Sequence, residues 1–396
     1  MKLRVRAASA VVVSAALALT LSACGAASRP TRTAISRPSA SSVSPTATGT
    51  TTSTPTPDPV AALSLEQRVG QLFLAGTPAT AAAPGTLADV ARLHVGGVFL
   101  SGQSTAGAAG DAALVSRFTA ADHDGIPLLI ATDQEGGLVQ RLAGPGFSTI
   151  PAALTQANEQ PQQLQADAAR WGRQLRAAGI DMNLAPVADV VDSPQQAQAN
   201  PPIGRLRREY GYAQASVLPH ARAFAEGMLA AGVVPVAKHF PGLGAVTANT
   251  DYSSRVTDPT TSALSPSVAV FRGMIDDGAP AIMLSSAIYS KIAPGTPAPF
   301  APAVVTGLLR TKLGFSGVVM SDDVSATAQL SAWTPQQRAI LAIQAGVDIV
   351  LVSAAPEQAP AMIAAVIAKA RTDPAFAAQV DAACGRVLAL KQRYLK

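Results

Sequence analysis

The sequence predicts an α/β protein, a single (β/α)8 barrel of the TIM type behind a leader and a tether, and three observations predict it. A short β-branched run, a turn and an alanine-rich stretch with helical spacing recur eight times between residue 59 and residue 396. Most of the runs are continuously apolar rather than alternating, as suits strands buried on both faces of a parallel sheet. Polar and charged residues gather where the runs end, and in a barrel all of those ends meet at one mouth. The chain has 396 residues, 48% of them hydrophobic and 14% charged, enough for one large core.

In chain order the runs are Gly70–Ala75, Gly97–Ser101, Pro127–Thr132, Met182–Ala188, Val233–Lys238, Ala281–Ser285, Gly317–Ser321 and Asp348–Val352. Their starts lie 27 to 55 residues apart, room for a crossover helix each time. Helix candidates between them include Pro161–Ala178, Gly211–Ala231, Pro302–Leu313 and Thr334–Ala345. Pro161 and Pro302 suit a first helical position, where a missing N–H costs nothing. Strand order is not written in a sequence, so a doubly wound open sheet is the rival architecture. The first βα turn carries no Gly-x-Gly-x-x-Gly, which leaves a dinucleotide fold with little support.

The chain opens Met-Lys-Leu-Arg-Val-Arg, continues with an apolar run from Ala7 to Leu21, and reaches Leu21-Ser22-Ala23-Cys24-Gly25. A positive start, a short apolar run and small residues before a cut read as an export signal over residues 1–23. The run is shorter than the roughly 20 apolar residues that a membrane span needs. Leu-Ser-Ala-Cys resembles a bacterial lipobox, which implies a lipidated Cys24 at the new N-terminus; an ordinary signal peptide that happens to hold a cysteine is the alternative. Acyl chains contribute about 0.8 kcal/mol per buried methylene, so a multiply acylated Cys24 would hold the protein on a membrane. Residues 24–58 are largely Ser, Thr, Pro and Ala, a composition expected to stay an extended tether because it has little apolar surface to bury. The expected location is therefore the outer face of the bacterial cytoplasmic membrane or the cell envelope. The folded domain is expected over residues 59–396, with Cys384 as a buried small hydrophobe.

Composition also excludes. The formal charge is +5, and without Lys2, Arg4 and Arg6 of the leader only 27 basic residues face 25 acidic ones, too small an excess for a nucleic-acid surface. Two cysteines cannot make a disulfide scaffold or a zinc cluster, and His94, His123, His220 and His239 are too scattered for a metal-ligand pair. No metal and no cofactor is expected.

Asp133 and Glu135 follow the third run, Asp189 the fourth, and Lys238-His239 close the fifth; Ser285-Ser286 close the sixth, Asp322-Asp323 follow the seventh, and Ser353 closes the eighth. Helix capping would explain any one acid among Asp133, Asp189 and Asp323. It explains Lys238-His239 poorly, because a cation there opposes the helix dipole; for these two the alternatives are sugar binding and a buried salt bridge. Glu135, ahead of two glycines, reads as a brace for that turn. Without a reactive cysteine or a Gly-x-Ser-x-Gly elbow, serine-hydrolase chemistry is disfavoured. Carboxylates with hydroxyl-binding cations suit a neutral polyhydroxylated substrate instead, and Asp133, Arg141 and Lys238 are candidates to read its hydroxyls. An oxocarbenium-like transition state needs one carboxylate at the anomeric carbon and a proton donor at the leaving oxygen.

Four ordered segments, Asp133-Gln-Glu-Gly-Gly-Leu-Val-Gln-Arg141, Lys238-His-Phe-Pro-Gly-Leu-Gly244, Gly317-Val-Val-Met-Ser-Asp322-Asp and Ala345-Gly-Val-Asp-Ile-Val-Leu351, together resemble glycoside hydrolase family 3. The nearest likeness is its single-domain β-N-acetylhexosaminidase branch, which removes N-acetylglucosamine from peptidoglycan fragments, and it extends over about residues 60 to 395. The resemblance implies a (β/α)8 barrel, retention of configuration, no metal, and a substrate that is an N-acetylglucosamine-containing muropeptide or disaccharide. Asp322 matches the family nucleophile; Asp133, Arg141, Lys238 and His239 match its sugar-binding residues. Ile203-Gly-Arg-Leu-Arg-Arg208-Glu-Tyr-Gly211 is similar to the family's Ile-Gly-x-Arg-x-Phe-Gly segment with extra residues, with Arg208 as the matching arginine and Arg205 and Arg207 as alternatives.

The chain also departs from that pattern. The loop after Lys-His-Phe-Pro-Gly usually continues His-Gly and ends Asp-Ser-His, whose Asp–His pair donates the proton. Here Leu243 replaces the first histidine, and Asp251-Tyr252-Ser253 keeps the Asp without its histidine. Ser286 stands where a histidine is common. Asp251 is the candidate general acid, acting alone or through water, and an ordinary surface-loop acid is the alternative for an Asp in Ala-Asn-Thr-Asp. The alternatives are a catalytically weak or inactive sugar-binding lipoprotein, or an enzyme for another β-glycoside such as a β-glucoside. A transporter's solute-binding lipoprotein would share the leader but would not explain the four segments.

Overall fold

The computed structural model describes residues 59–395. The leader, the tether and Cys24 lie outside the described residues, and so do the expectations that fall on them.

Eight parallel strands close into a barrel: β1 (Phe73–Pro78), β2 (Gly97–Ser101), β3 (Leu129–Thr132), β4 (Met182–Asn183), β5 (Val234–Phe240), β6 (Ala281–Leu284), β7 (Val318–Asp323) and β8 (Ile349–Val352). Each pairs with its neighbours in sequence, and β8 returns to β1 through Phe73↔Val350, Leu74↔Leu351 and Ala75↔Val352. The open-sheet alternative is thereby removed. Phe73, Leu74, Leu100, Leu129, Ile130, Val236, Ile282, Val319 and Val350 are all buried, which is why the runs read as continuously apolar.

Several boundaries move for identifiable reasons. Gly70, the expected start of the first strand, ends a helix over Leu65–Gly70 whose Ser64 and Gln67 form a reciprocal capping box. The expected strand Met182–Ala188 pairs regularly only over Met182–Asn183, because Pro186 has no N–H to give to a ladder. Ala185 and Ala188 still bond to β5, through Val236 N to Ala185 O at 2.9 Å and Ala188 N to Lys238 O at 2.6 Å. β5 runs on to Phe240 and β7 to Asp323, so Lys238, His239 and Asp322 are strand residues on ordered backbone. Pro161 opens its helix at the first turn as expected, whereas Pro302 caps the helix Ala303–Lys312 rather than occupying its first position. That helix is wide, with π-type bonding such as Leu313 N to Leu308 O at 3.0 Å.

Helices surround the barrel. The helix Gln214–Ala230 lies close against Pro161–Ala177, and a Cβ at Gly227 would fall 2.4 Å from the Gln165 carbonyl oxygen, so only glycine permits that approach. Asp348 at the N-terminal end of β8 holds Arg310 at 2.5 Å and Arg386 at 2.8 Å and accepts the Val319 amide. Such fixed pairing at the barrel's bottom serves stability. Cys384 is buried.

Candidate active site

Asp133, Arg141, Arg208, Lys238, His239, Asp251 and Asp322, the sequence-predicted site residues within the described part, all line one cavity of about 670 Å³ at the strands' C-terminal mouth. Its wall also includes Leu184, Leu243, Met283 and Leu351, so charged and apolar surfaces face the same space.

The floor is an ion network. Lys238, only 3% exposed, reaches Asp133 Oδ1 at 2.6 Å and Glu135 Oε1 at 2.7 Å. Arg208 grips the same Glu135 with both prongs, Nη2 to Oε1 at 2.7 Å and Nε to Oε2 at 2.8 Å, and gives Nη1 to the Pro202 carbonyl at 2.8 Å. Burial alone would push Glu135 up, but the Arg208 and Lys238 charges outweigh it and hold the carboxyl well below the usual range. Burial likewise works against the Lys238 charge, and Asp133 and Glu135 overcome it, so the ammonium titrates above its ordinary value. Two fixed cations and the Asp133 carboxylate thus face the cavity, partners suited to a sugar's hydroxyls.

This corrects the reading of Glu135 as a turn brace. Its carboxylate carries charge compensation for Lys238 and Arg208. The turn is braced instead by Gln134, which accepts the Arg141 and Leu142 amides, and by Gln156, which donates to the Glu135 carbonyl. Replacing Glu135 by Ala leaves two buried cations short of an acid, and unfolding free energy should fall by about 3–5 kcal/mol, the scale for removing one partner of a buried pair. Denaturant titration measures it; an unchanged midpoint would mean that Asp133 suffices for both cations.

Of the three candidate arginines, Arg208 alone lines the cavity. Arg205 turns to the Gln198 carbonyl and Arg207 to Thr155, both on exposed surface, while Arg208 enters the cavity. Arg207 has φ 57°, a left-handed kink that separates it from Arg208.

His239 Nδ1 lies 2.8 Å from Asp189 Oδ2, and Asp189 is fully buried. Asp189 Oδ1 also accepts the Leu243 amide at 2.7 Å, tying the ring and the following loop to one carboxylate. Asp133 and Asp189 therefore pair with cationic or ring nitrogens from β5 rather than capping helices. Asp189 and Glu135 are visible in the sequence as residues at run ends, but their partners lie 50 and 73 residues away.

Asp322 and Asp323 diverge. Asp323 Oδ1 accepts from Ser325 Oγ, Ser353 N, Ser353 Oγ and Ala354 N, and Oδ2 accepts Ala326 N. Five donors leave it little capacity for chemistry. Asp322 lines the cavity and accepts the Asp323 amide on Oδ1 at 2.8 Å. Burial pushes its carboxyl up, and the nearby His239 and Lys238 charges oppose that rise.

Asp251 stands at the tip of the loop after β5, where the residue as a whole is exposed. Its carboxyl is nonetheless partly desolvated and sits in the field of Asp322 and Asp323, which together push it up to about 6. The loop is fastened: Asn200 Nδ2 donates to the Leu243 and Val246 carbonyls, Ala328 N to the Asp251 carbonyl, and Gln329 N to the Thr250 carbonyl. A Cβ on Gly244 would fall 1.7 Å from the Val190 carbonyl oxygen, so this position requires glycine. Leu243, in the place of the first histidine, is buried against the cavity. Ser286 is fully buried and is not part of the cavity wall.

A closed parallel barrel whose mouth sets carboxylates beside cations suits glycoside hydrolysis, and the chain's likeness to known proteins assigns that class. The chain matches the glycosyl hydrolase family 3 N-terminal domain over residues 64–390 and belongs to that family. Among curated proteins, it is 34% identical to the beta-hexosaminidase LpqI of Mycobacterium tuberculosis over 298 residues, 74% of each chain. Among solved structures, it is similar to a beta-N-acetylhexosaminidase from Beutenbergia cavernae, at 57% identity and a TM-score of 0.83, covering 83% of this chain and 99% of that one. A family 3 beta-N-acetylglucosaminidase from Paenibacillus shares 33% identity at a TM-score of 0.78, over 84% of this chain and 63% of that one.

Proposed function

We propose that the protein is a retaining β-N-acetylhexosaminidase that removes terminal β-linked N-acetylglucosamine from peptidoglycan-derived fragments, through a covalent glycosyl-aspartate on Asp322. The observation that carries the reading is the division of labour at the mouth. Lys238, Arg208 and Asp133 form a polar floor, Asp322 stands beside it while the carboxylate of its neighbour Asp323 is saturated by five donors, and Asp251 is an acid pushed up to about 6. The sugar's hydroxyls meet the floor, with His239 and Arg141 completing the wall. Asp322 attacks the anomeric carbon as the glycosidic bond breaks. Asp251, directly or through one water, gives its proton to the departing oxygen; as the carboxylate it then takes a proton from the water that releases the sugar from Asp322. The names of the similar proteins support the choice of sugar.

Turnover of a chromogenic N-acetylglucosaminide against the matching β-glucoside tests this. Preference for the N-acetylated substrate supports it; preference for the glucoside moves the substrate class. Sugar binding without turnover of either would leave a sugar-binding lipoprotein, the reading that the missing loop histidine favours.

The reading includes export and lipid attachment at Cys24, supported by the lipobox-like Leu21–Cys24 and the polar residues behind it. Cys24→Ala should shift the protein from the membrane to the soluble fraction. Retention of the variant on membranes would place the anchor elsewhere.

A further inference from the structure

Tyr252 directly follows the candidate acid, lines the catalytic cavity, and is 84% exposed, a rare position for a large aromatic ring among the described residues. Single exposed apolar side chains usually need no explanation. Leu138 and Leu264, the other large hydrophobic residues so exposed, are not part of the cavity wall. Tyr252 differs in standing on a loop whose backbone is fixed on both sides. Its own amide donates to the Asn249 carbonyl at 3.2 Å, the Thr250 and Asp251 carbonyls accept amides from Gln329 and Ala328, and Val256 is held by both ends of the Gln329 side-chain amide. The ring is thus presented at the mouth without being packed into the protein.

The direction of the cavity says what such a ring meets. The polar floor of Lys238, Arg208 and Asp133 is the inner end, where the proposed function puts the sugar to be released. The acid must lie beside the glycosidic oxygen, and the group on the far side of that oxygen lies toward solvent. We propose that Tyr252 is a specificity-determining residue that stacks its ring on the C–H face of a second pyranose, making the leaving side of the site a subsite for a sugar. Pyranose faces are apolar where their axial hydrogens gather, and an aromatic ring that covers such a face removes apolar surface from water on both partners. The inference rests on the sugar-hydrolase reading and deepens it by naming what recognises the leaving group.

The test compares two substrates of the full-length protein, the β-1,4-linked N-acetylglucosamine disaccharide and methyl β-N-acetylglucosaminide, with wild type, Tyr252→Ala and Tyr252→Phe. Tyr252→Ala should lose on the order of five- to tenfold in kcat/KM on the disaccharide, mainly through KM, and at least threefold less on the methyl glycoside. Tyr252→Phe, which keeps the ring, should restore most of the loss. Equal losses on both substrates, no loss on the disaccharide, or failure of Phe to restore it would overturn the proposal. The Asp322→Asn protein gives the same comparison by calorimetric binding of the disaccharide and of free N-acetylglucosamine. A disaccharide preference that disappears with Tyr252→Ala supports the subsite even if turnover is absent. A wild type that binds and cleaves neither sugar overturns the functional reading, and with it the inference; one that binds both sugars equally overturns the inference alone.

Discussion

Asp322→Asn is expected to lose at least ~10⁴-fold in kcat, the scale seen when the nucleophile of a covalent mechanism is removed. An amide is nearly the same size as the carboxylate, so the fold and the Asp323 loop should stay intact and the loss should be chemical. A slow fluoro-sugar substrate should trap the covalent intermediate on the peptide that holds Asp322, read by mass spectrometry. Asp323 cannot substitute, because its oxygens already accept from Ser325, Ser353, Ala354 and Ala326. Label on Asp323, or full activity in Asp322→Asn, would remove the assignment.

For Asp251→Ala the expected loss depends on the leaving group. A sugar alkoxide leaves poorly without a proton, so hydrolysis of a natural disaccharide should slow by about 10²–10⁴-fold, the usual scale of general acid catalysis. A nitrophenolate leaves unaided, and its glycosylation step should slow far less. The pH profile carries the sign. Asp251 must be protonated to donate, and its carboxyl is pushed up to about 6, so kcat/KM on the disaccharide should fall as pH rises through about 6. Asp322 must be ionised to attack, and burial raises its titration above the ordinary carboxylate range, so the rate should also fall on the acid side. The two limbs belong to the interacting pair rather than to either residue alone. Asp251→Ala should erase the alkaline limb near 6. Equal slowing on both leaving groups would make Asp251 a residue that positions the loop, and no slowing on either would place the acid outside it.

Residues at strand ends were legible because they are local features: a side chain next to an apolar run in sequence is next to a strand end in space. Asp133, Lys238, His239 and Asp322 could be found that way, and all four line the cavity. The role of Asp323 was not legible in this way. It has the same sequence context as Asp322 and lines the same cavity, and only the amides and hydroxyls of the loops beyond β7 and β8 make one carboxylate saturated and leave the other with a single amide donor.

The eight βα units, the mouth at which their polar ends gather and the family pattern are legible in the chain, since each is written in runs and spacings of a few residues. Tertiary structure alone decided that β8 closes on β1, that Arg208 rather than Arg205 or Arg207 enters the site, and that Glu135 compensates Lys238 and Arg208. It also decided that Asp251, without its usual histidine, is raised to about 6 by burial and by Asp322 and Asp323. The reason is physical. Barrel closure and charge pairing join groups that are far apart in sequence, 105 residues for Lys238 and Asp133. A carboxyl's pKa depends on the water and charge around it, which a chain acquires only when it folds.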